Sequence, residues 1–529
     1  MTEAARGIDA LVAAVEAGEM TEREAVGMAS PSEVEAALHA QFDDGGTPIG
    51  SGIGASPGAA VGKVYFDVDG CLDAVDRGEL VILCADETSP ADEIAMRMAE
   101  GIVTAKGGTA SHAAVVARGW GIPAVCGVDV ATFDDAGMHL GGQLLAEGDT
   151  ISIDGTSGEI FVGDLGAGGG GGSEAVDTLL GWADDVRGDR IGVRANADSG
   201  KDAEQARALG AEGIGLCRTE HMFLGDRLPL VQNVILAATD AHAETALAEL
   251  GEMQRRDFVL LLEAMDGLPT TIRLLDPPLH EFLPDPIELA VADARGELDA
   301  AGKSVAEAVH HWAEANPMLG TRGVRLAIVR DGLYRMQVRS LLLAAAERRA
   351  AGGRPMVEIM IPLVSDVAEL AMVRGWIEDE IAHVEGEVGE LSIGTMIETP
   401  RAAVTAREIV AEAEFVSFGT NDLTQLTWGF SRDDVEARVI TRYVDLGILD
   451  ANPFERLDRT GVGALVANAI TEGRAARPDL KVGVCGEHGG EPSSIEFLVG
   501  AGVDYVSCSP YRVPVARLAV AQALIGSSA

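Results

Sequence analysis

From residue 190 onward, short apolar runs alternate with stretches of helical spacing. The runs are Ile191–Ala195, Gly213–Cys217, Thr271–Leu275, Glu358–Pro362, Leu391–Ile397, Phe415–Gly419, Val482–Gly486 and Tyr505–Ser509. A short apolar run bounded by turn residues reads as a buried strand, and strand–helix alternation argues for parallel βα units. Eight units over about 340 residues suit a closed (β/α)8 barrel, with a doubly wound open sheet as the competing arrangement. In a barrel, functional side chains gather past the C-terminal ends of the strands. Arg218, Arg273, Glu398, Asn421 with Asp422, and Cys485 fall at or near such ends.

The first third of the chain has a different rhythm. Residues 46–165 carry strand candidates at Ala60–Phe66, Leu80–Cys84, Gly101–Thr104, Ala124–Cys126 and Thr150–Ile153, with turns at Ser56-Pro57-Gly58 and Asp154-Gly155-Thr156. They predict a compact α/β domain. Residues 1–45 read as helical: Ile8 to Val15 has amphipathic spacing, Thr21 to Glu24 forms a capping box, and Ser30-Pro31 opens another helix. A glycine run, Gly168 to Gly172, sits in a segment, 166–178, that reads as a flexible linker ahead of a barrel over 179–529. Five glycines without a following Lys-Ser/Thr make an ATP loop the weaker reading. Gly296 to Ser304 imitates a P-loop, but five residues separate its glycines where four are needed. An exposed helix-to-helix turn is expected there.

Within the α/β domain, residues 101–127 suggest a strand, a glycine turn at Gly107-Gly108, then a helix opening at Ser111-His112 and stopped by Gly119 and Gly121. His112 would occupy the first turn of that helix, where backbone N–H groups and the dipole favour an anion. A neutral imidazole there could attack phosphorus. By spacing alone, a cap or a surface residue is the commoner role.

Composition narrows the field. The formal net charge of −44 disfavours nucleic acid and anionic membrane surfaces as partners, and it fits a salty cytoplasm. An anionic substrate would need a local cluster of arginines. No apolar run reaches membrane-spanning length and the N-terminus shows no signal peptide, so a cytoplasmic protein is expected. Six scattered cysteines form no CxxC pair and read as reduced, buried thiols.

Gly-Gly-Thr-Ala-Ser-His-Ala-Ala-Val-Val-Ala-Arg-Gly, 107–119, resembles the phosphohistidine loop of the phosphoenolpyruvate (PEP)-utilising enzymes. The segments at 210–223, 272–284, 316–325, 394–401, 418–425 and 485–490 resemble the pyruvate, phosphate dikinase branch of that family, in the family's order. One position departs: Ala110 stands where the family usually has a threonine that is phosphorylated for regulation in plants. The resemblance implies a swivelling phosphohistidine domain followed by a TIM-type PEP-binding barrel. It implies that His112 carries phosphate, that Glu398 and Asp422 hold Mg²⁺, and that Arg218 and Arg273, with Arg322 less firmly, bind the phosphoryl group. Gly419, Thr420 and Asn421 would hold the pyruvyl end, and Cys485 would protonate the enolate. By spacing alone, Glu398 and Asp422 read as a solvated pair or as members of salt bridges, and by composition Cys485 reads as a core thiol.

The implied function is reversible phosphoryl transfer between PEP/pyruvate and His112, the PEP/pyruvate half of a split dikinase whose ATP half lies on a separate nucleotide-binding chain. A PEP-dependent protein phosphotransferase of the sugar-transport type, a PEP synthase half and a non-catalytic PEP sensor are the rivals. A homodimer through the barrel is expected by analogy.

Overall fold

The computed structural model describes residues 7–38, 41–42, 46–89, 92–108, 111–134, 136–168, 173–223, 227–236, 240–330 and 332–527. The chain divides into two compact units: Met1–Gly188 with Arg432–Asn452 and Pro514–Ala529, and Asp189–Ser431 with Pro453–Val513.

The first unit holds an eight-stranded sheet. Its strand order is Gly50–Ser51, Glu159–Val162, Thr150–Asp154, Ala59–Tyr65, Val81–Ala85, Gly101–Thr104, Ala124–Cys126, Ile53–Ser56. The middle strands from Ala59–Tyr65 to Ala124–Cys126 run parallel and the flanking ones antiparallel. Two apolar clusters cover the sheet, one containing Leu83, Met96 and Ile102, the other Ile82, Val103 and Ile151. A separate three-stranded sheet joins Thr132–Asp134, Gly137–Leu140 and Gln143–Leu145.

The helical segment forms as expected: Ile8–Glu16, Glu22–Met28 and Pro31–Leu38. Thr21 and Glu24 close a reciprocal capping box, an arrangement whose loss costs about 1 kcal/mol. These helices do not stand alone. Leu11, Val26 and Val34 share one core with Leu179 and Leu180 of helix Glu174–Arg187 and Leu518 of helix Val513–Gly526. Residues 174–178, expected within the linker, therefore open a helix that Ser173 caps. Of the glycine run, Gly169 to Gly172 lie outside the described residues.

The second unit is a closed barrel of eight parallel strands in sequence order. They are β1 (Gly192–Asn196), β2 (Ile214–Arg218), β3 (Pro269–Arg273), β4 (Met356–Ile361), β5 (Glu390–Ile397), β6 (Phe415–Phe418), β7 (Lys481–Val484) and β8 (Tyr505–Cys508). The ring closes where Gly192 to Ala195 of β1 pair with Tyr505 to Cys508 of β8, so the open-sheet alternative falls. The interior is not purely apolar. Glu358 of β4 accepts from Arg194 Nη1 at 2.6 Å, Lys481 Nζ at 2.7 Å and Thr271 Oγ1 at 2.6 Å. The Arg194 guanidinium lies 4.0 Å from the centre of the Tyr505 ring. Burial alone would raise the Glu358 carboxyl, but Arg194 and Lys481 outweigh it and bring it down to about 2.

The P-loop imitation resolves as a turn: Gly296 ends helix Pro286–Arg295 and Asp299 caps helix Ala300–Trp312. The six cysteines are free and buried. Among the described residues no helix is long and apolar enough to cross a membrane.

A net charge of −44 opposes compaction through self-repulsion. Raising KCl from about 0.1 to about 1 M shortens the screening length from about 10 to about 3 Å. The thermal midpoint is therefore expected to rise by several degrees across that range. Calorimetry checks it, and a flat or falling midpoint would show that the surface charge is locally neutralised.

Candidate active site

In the first unit, the Gly101–Thr104 strand leads into helix His112–Trp120. Ser111 is the N-cap and its Oγ accepts the Ala114 N–H at 3.4 Å. Gly107 has φ +107°, and a Cβ there would lie 2.7 Å from Ser111 Cβ, so only glycine lets the turn fold this tightly. Of the two glycines expected to stop the helix, Gly119 lies within it and Gly121 ends it in the left-handed conformation. Ala113, Ala114 and Ala117 seat its small-residue face against the sheet. His112 itself is half-buried, with Nδ1 3.2 Å from Thr88 Oγ1. Nothing in the local sequence pattern around Thr88 marks it as a partner of His112. Ala110 lies outside the described residues.

At the C-terminal end of the barrel the three arginines are each tied to carboxylates. Arg218 ends β2; its backbone N–H donates to Asp198 Oδ1 at 2.6 Å, and Nη1 stands 3.5 Å from Asp198 Oδ2. Arg273 ends β3 and pairs with Glu220 and, at 3.2 Å, with Asp276. Arg322 is not on a strand: it caps helix Gly323–Val329 in the β3–β4 connection. Its guanidinium bridges Asp276 at 2.5 Å and Asp422 at 2.9 Å. Arg273 and Arg322 are held well above even the usual arginine range: burial works against them, and the charges of Glu220 with Asp276, and of Asp276 with Asp422, overcome it. The sequence reading named the arginines and missed Asp198, Glu220 and Asp276. Glu220 and Asp276 lie inside quoted motif segments, so their proximity in sequence was the available signal.

Glu398 follows β5 and is fully buried. Its Oε1 accepts the Leu363 N–H at 2.6 Å, while Oε2 has no hydrogen-bond partner among the described residues. Leu363 holds φ +59°, a left-handed conformation costly for a bulky side chain, at the point where its N–H meets the carboxylate. After β6, Gly419 caps helix Thr420–Trp428, which places Thr420, Asn421 and Asp422 in the first turn. Burial, then the charges of Asp422 and Asp276, push the Glu398 carboxyl far above its ordinary range; burial also raises Asp422. Five carboxylates, Asp198, Glu220, Asp276, Glu398 and Asp422, outnumber the three guanidiniums. Such a cluster fits a hard dication: it supplies oxygen donors, one of them an orphaned buried atom, and it carries surplus negative charge. Among the described residues no group of three or more His, Cys, Asp or Glu converges to hold a metal. Two carboxylates would leave the other ligand positions to substrate oxygens and water.

A Cβ on Gly419 would fall 2.3 Å from Glu398 Oε2 and 2.6 Å from Met396 Cε. Gly419→Ala is therefore expected to push the carboxylate aside. Overpacking this buried position should cost about 1 to 3 kcal/mol and lower the thermal midpoint by several degrees. Thermal denaturation followed by circular dichroism checks it, and an unchanged midpoint would show that the carboxylate gives way freely.

Cys485 follows β7, among Leu216, Met360, Met396 and Phe415. Its N–H donates to the Phe418 carbonyl at 3.2 Å, and its own carbonyl accepts from Asn196 Nδ2 at 3.1 Å. Burial pushes the thiol up to about 11, with the Ser417 hydroxyl working the other way. Nearby, Asn421 Oδ1 accepts the Glu487 N–H at 3.3 Å. Thr420 Oγ1 lies 2.8 Å from Nδ1 of the buried His488, whose Nε2 lies 3.0 Å from the Pro453 carbonyl. Since a carbonyl only accepts, Nε2 carries the proton, and in the neutral ring Thr420 donates to Nδ1. The sequence reading missed Asn196 and His488.

The barrel unit thus gathers every site residue expected there: Arg218, Arg273, Arg322, Glu398, Gly419, Thr420, Asn421, Asp422 and Cys485. Two family patterns match the chain: "PEP-utilising enzyme, PEP-binding domain" over residues 172–525 and "PEP-utilising enzyme, mobile domain" over residues 78–158. A chloroplastic pyruvate, phosphate dikinase of Mesembryanthemum crystallinum is 47% identical over 510 residues, covering 94% of this chain and 53% of the relative. Pyruvate, phosphate dikinase of Clostridium symbiosum is 46% identical over 526 residues, covering 97% of this chain and 60% of the relative. The chain spans little more than half the length of these curated relatives.

Proposed function

Because the chain belongs to the PEP-utilising enzyme family, we propose that it transfers a phosphoryl group reversibly between PEP and His112, releasing or consuming pyruvate as pyruvate, phosphate dikinase does. The observation that carries this reading is the Glu398 carboxylate with its orphaned Oε2, set beside Asp422 and the arginines at the mouth of the barrel.

Glu398 and Asp422 would hold Mg²⁺, which supplies charge neutralisation to the carboxylate and phosphate oxygens of PEP. Arg218 and Arg273 orient the phosphoryl group with planar donors, and Arg322 braces Asp422. The first turn of the helix after β6, with Asn421, receives the pyruvyl end. His112 attacks through Nε2, since Nδ1 faces Thr88. The N–P bond forms as the bridging O–P bond breaks, and the electron pair passes to the enolate. Cys485, still a thiol near neutral pH, gives its proton to the methylene carbon, yielding pyruvate and a thiolate. The reverse steps make PEP. The glycine run within 166–178, ahead of the helix that opens at Glu174, would let the histidine domain, 46–165, travel between reaction partners, with 179–529 as the PEP-binding part.

Incubating the protein with PEP labelled in phosphorus and Mg²⁺ tests the proposal. Acid-labile, base-stable label on the chain supports it; binding without label supports the sensor reading. The ATP half-reaction is assigned to polypeptide outside these 529 residues. ATP and phosphate without PEP should then leave the chain unlabelled. A homodimer joined through the barrel belongs to the same proposal, and light scattering reads it.

A further inference from the structure

Arg218 differs from the other two arginines at the barrel mouth. Arg273 and Arg322 have side chains 9% and 8% exposed, each shared between two carboxylates. The Arg218 side chain is 32% exposed, and among the described residues its guanidinium pairs with one carboxylate, Asp198, at 3.5 Å. It is the guanidinium with the most charge to offer an incoming phosphoryl group, and correspondingly the one with least to hold it in place.

What holds it is the end of β1. The β1–β2 pairing slips register between Ala195 and Asn196, and Ala197 N–H then donates to the Leu216 carbonyl at 3.0 Å. That irregularity carries Asp198 over the end of β2. Its Oδ1 takes the backbone N–H of Arg218 itself at 2.6 Å, fixing the direction in which the side chain leaves the strand. Its Oδ2 is taken more closely by His221 Nδ1, at 2.8 Å, than by the guanidinium. A carboxylate only accepts, so His221 Nδ1 carries a hydrogen. His221 therefore occupies the oxygen that would otherwise draw Arg218 down and neutralise it. The Asp198 carboxyl stays ionised: burial would raise it, but His221 and Arg218 bring it down to about 2.

We propose that Asp198 and His221 are positioning residues that hold Arg218 extended and incompletely neutralised, available to the phosphoryl group of PEP. The inference rests on the phosphotransferase reading above. Asp198 fixes the arginine through its backbone, and His221 keeps the carboxylate from closing a full ion pair on it. No residue of the set need touch substrate except Arg218.

The test is a double-mutant cycle read by labelling of the full chain from PEP and Mg²⁺. Asp198→Asn should raise the half-saturating PEP concentration about tenfold, the scale expected when a substrate-orienting group is misplaced. His221→Phe leaves Asp198 to pair fully with Arg218 and should raise it about threefold, in the same direction. In an Arg218→Lys background each effect should shrink below about twofold, because both act through the guanidinium. A purely structural role would instead give additive losses in that background, and additivity overturns the proposal. Unchanged half-saturation in Asp198→Asn overturns it too. Should Asp198→Asn fail to fold, His221→Phe, at a side chain 34% exposed, decides alone. If the unaltered protein takes no label, it is the phosphotransferase reading that falls.

Discussion

His112→Asn is expected to abolish phosphoryl transfer from PEP while leaving the fold intact. Asparagine is tolerated in the first turn of a helix, and the Ser111 cap, the Gly107 turn and the alanine face of the helix do not depend on the imidazole. What disappears is the only atom type that could carry the phosphoryl group at this position. Removing a covalent nucleophile leaves only binding and electrostatics, so the labelling rate should fall by about 10⁴-fold or more. Affinity for PEP should stay within about twofold, because the groups proposed to bind it lie on the barrel. Labelling by PEP, with isothermal titration for the affinity, reads both. Retained label in His112→Asn would place the phosphoryl group on another residue and end the proposal. Thr88→Val makes a graded companion: it loses the hydroxyl facing Nδ1 but keeps the nucleophile, so a partial loss is expected.

The same contrast marks what the sequence could and could not disclose. Each barrel strand was legible because a buried parallel strand must be an apolar run, and all eight runs overlap the observed strands. Arg273 shows the limit: the run Thr271–Leu275 suggested a strand two residues late, because Leu274 and Leu275 are buried beyond its end. The charged layer Arg194–Glu358–Lys481 was not legible: the runs Ile191–Ala195 and Glu358–Pro362 contain two of these charges, but nothing in the sequence says that they meet inside the barrel. The short strands Gly50–Ser51 and Ile53–Ser56 and the three-stranded sheet were missed for a related reason. They are two to four residues long, too short to show an alternation, and three of the five contain a glycine. At the site, strand-end placement and family resemblance picked out the arginines, Glu398, Asp422 and Cys485. Their partners are another matter. Asp198 with Arg218, Arg322 with Asp422 and Thr88 with His112 are set by where loops end in space, and no periodicity records it.

Cys485 carries the second large effect, and its direction depends on pH. The thiol sits in an apolar pocket and is pushed up to about 11 by burial. In the proposed mechanism the thiol is the proton donor near neutral pH, so pyruvate formation from PEP should not change with pH on its account. The proposed reverse reaction needs the thiolate to take a proton from the methyl group of pyruvate. Its fraction grows about tenfold per pH unit below the thiol's pKa. Deuterium uptake from solvent into the pyruvate methyl group, followed by proton NMR with Mg²⁺ present, should therefore climb steeply from pH 7 toward pH 10. Cys485→Ala should lower both directions by about 10²- to 10⁴-fold, the usual worth of a positioned acid–base group. It should still form phospho-His112 from PEP slowly, because breaking the O–P bond does not itself require the proton. The products would then separate in time, label appearing on the chain before pyruvate is released. A Cys485→Ala protein with unimpaired pyruvate release, or a flat pH profile for methyl exchange in the unaltered protein, would remove Cys485 from the mechanism and return it to the apolar core.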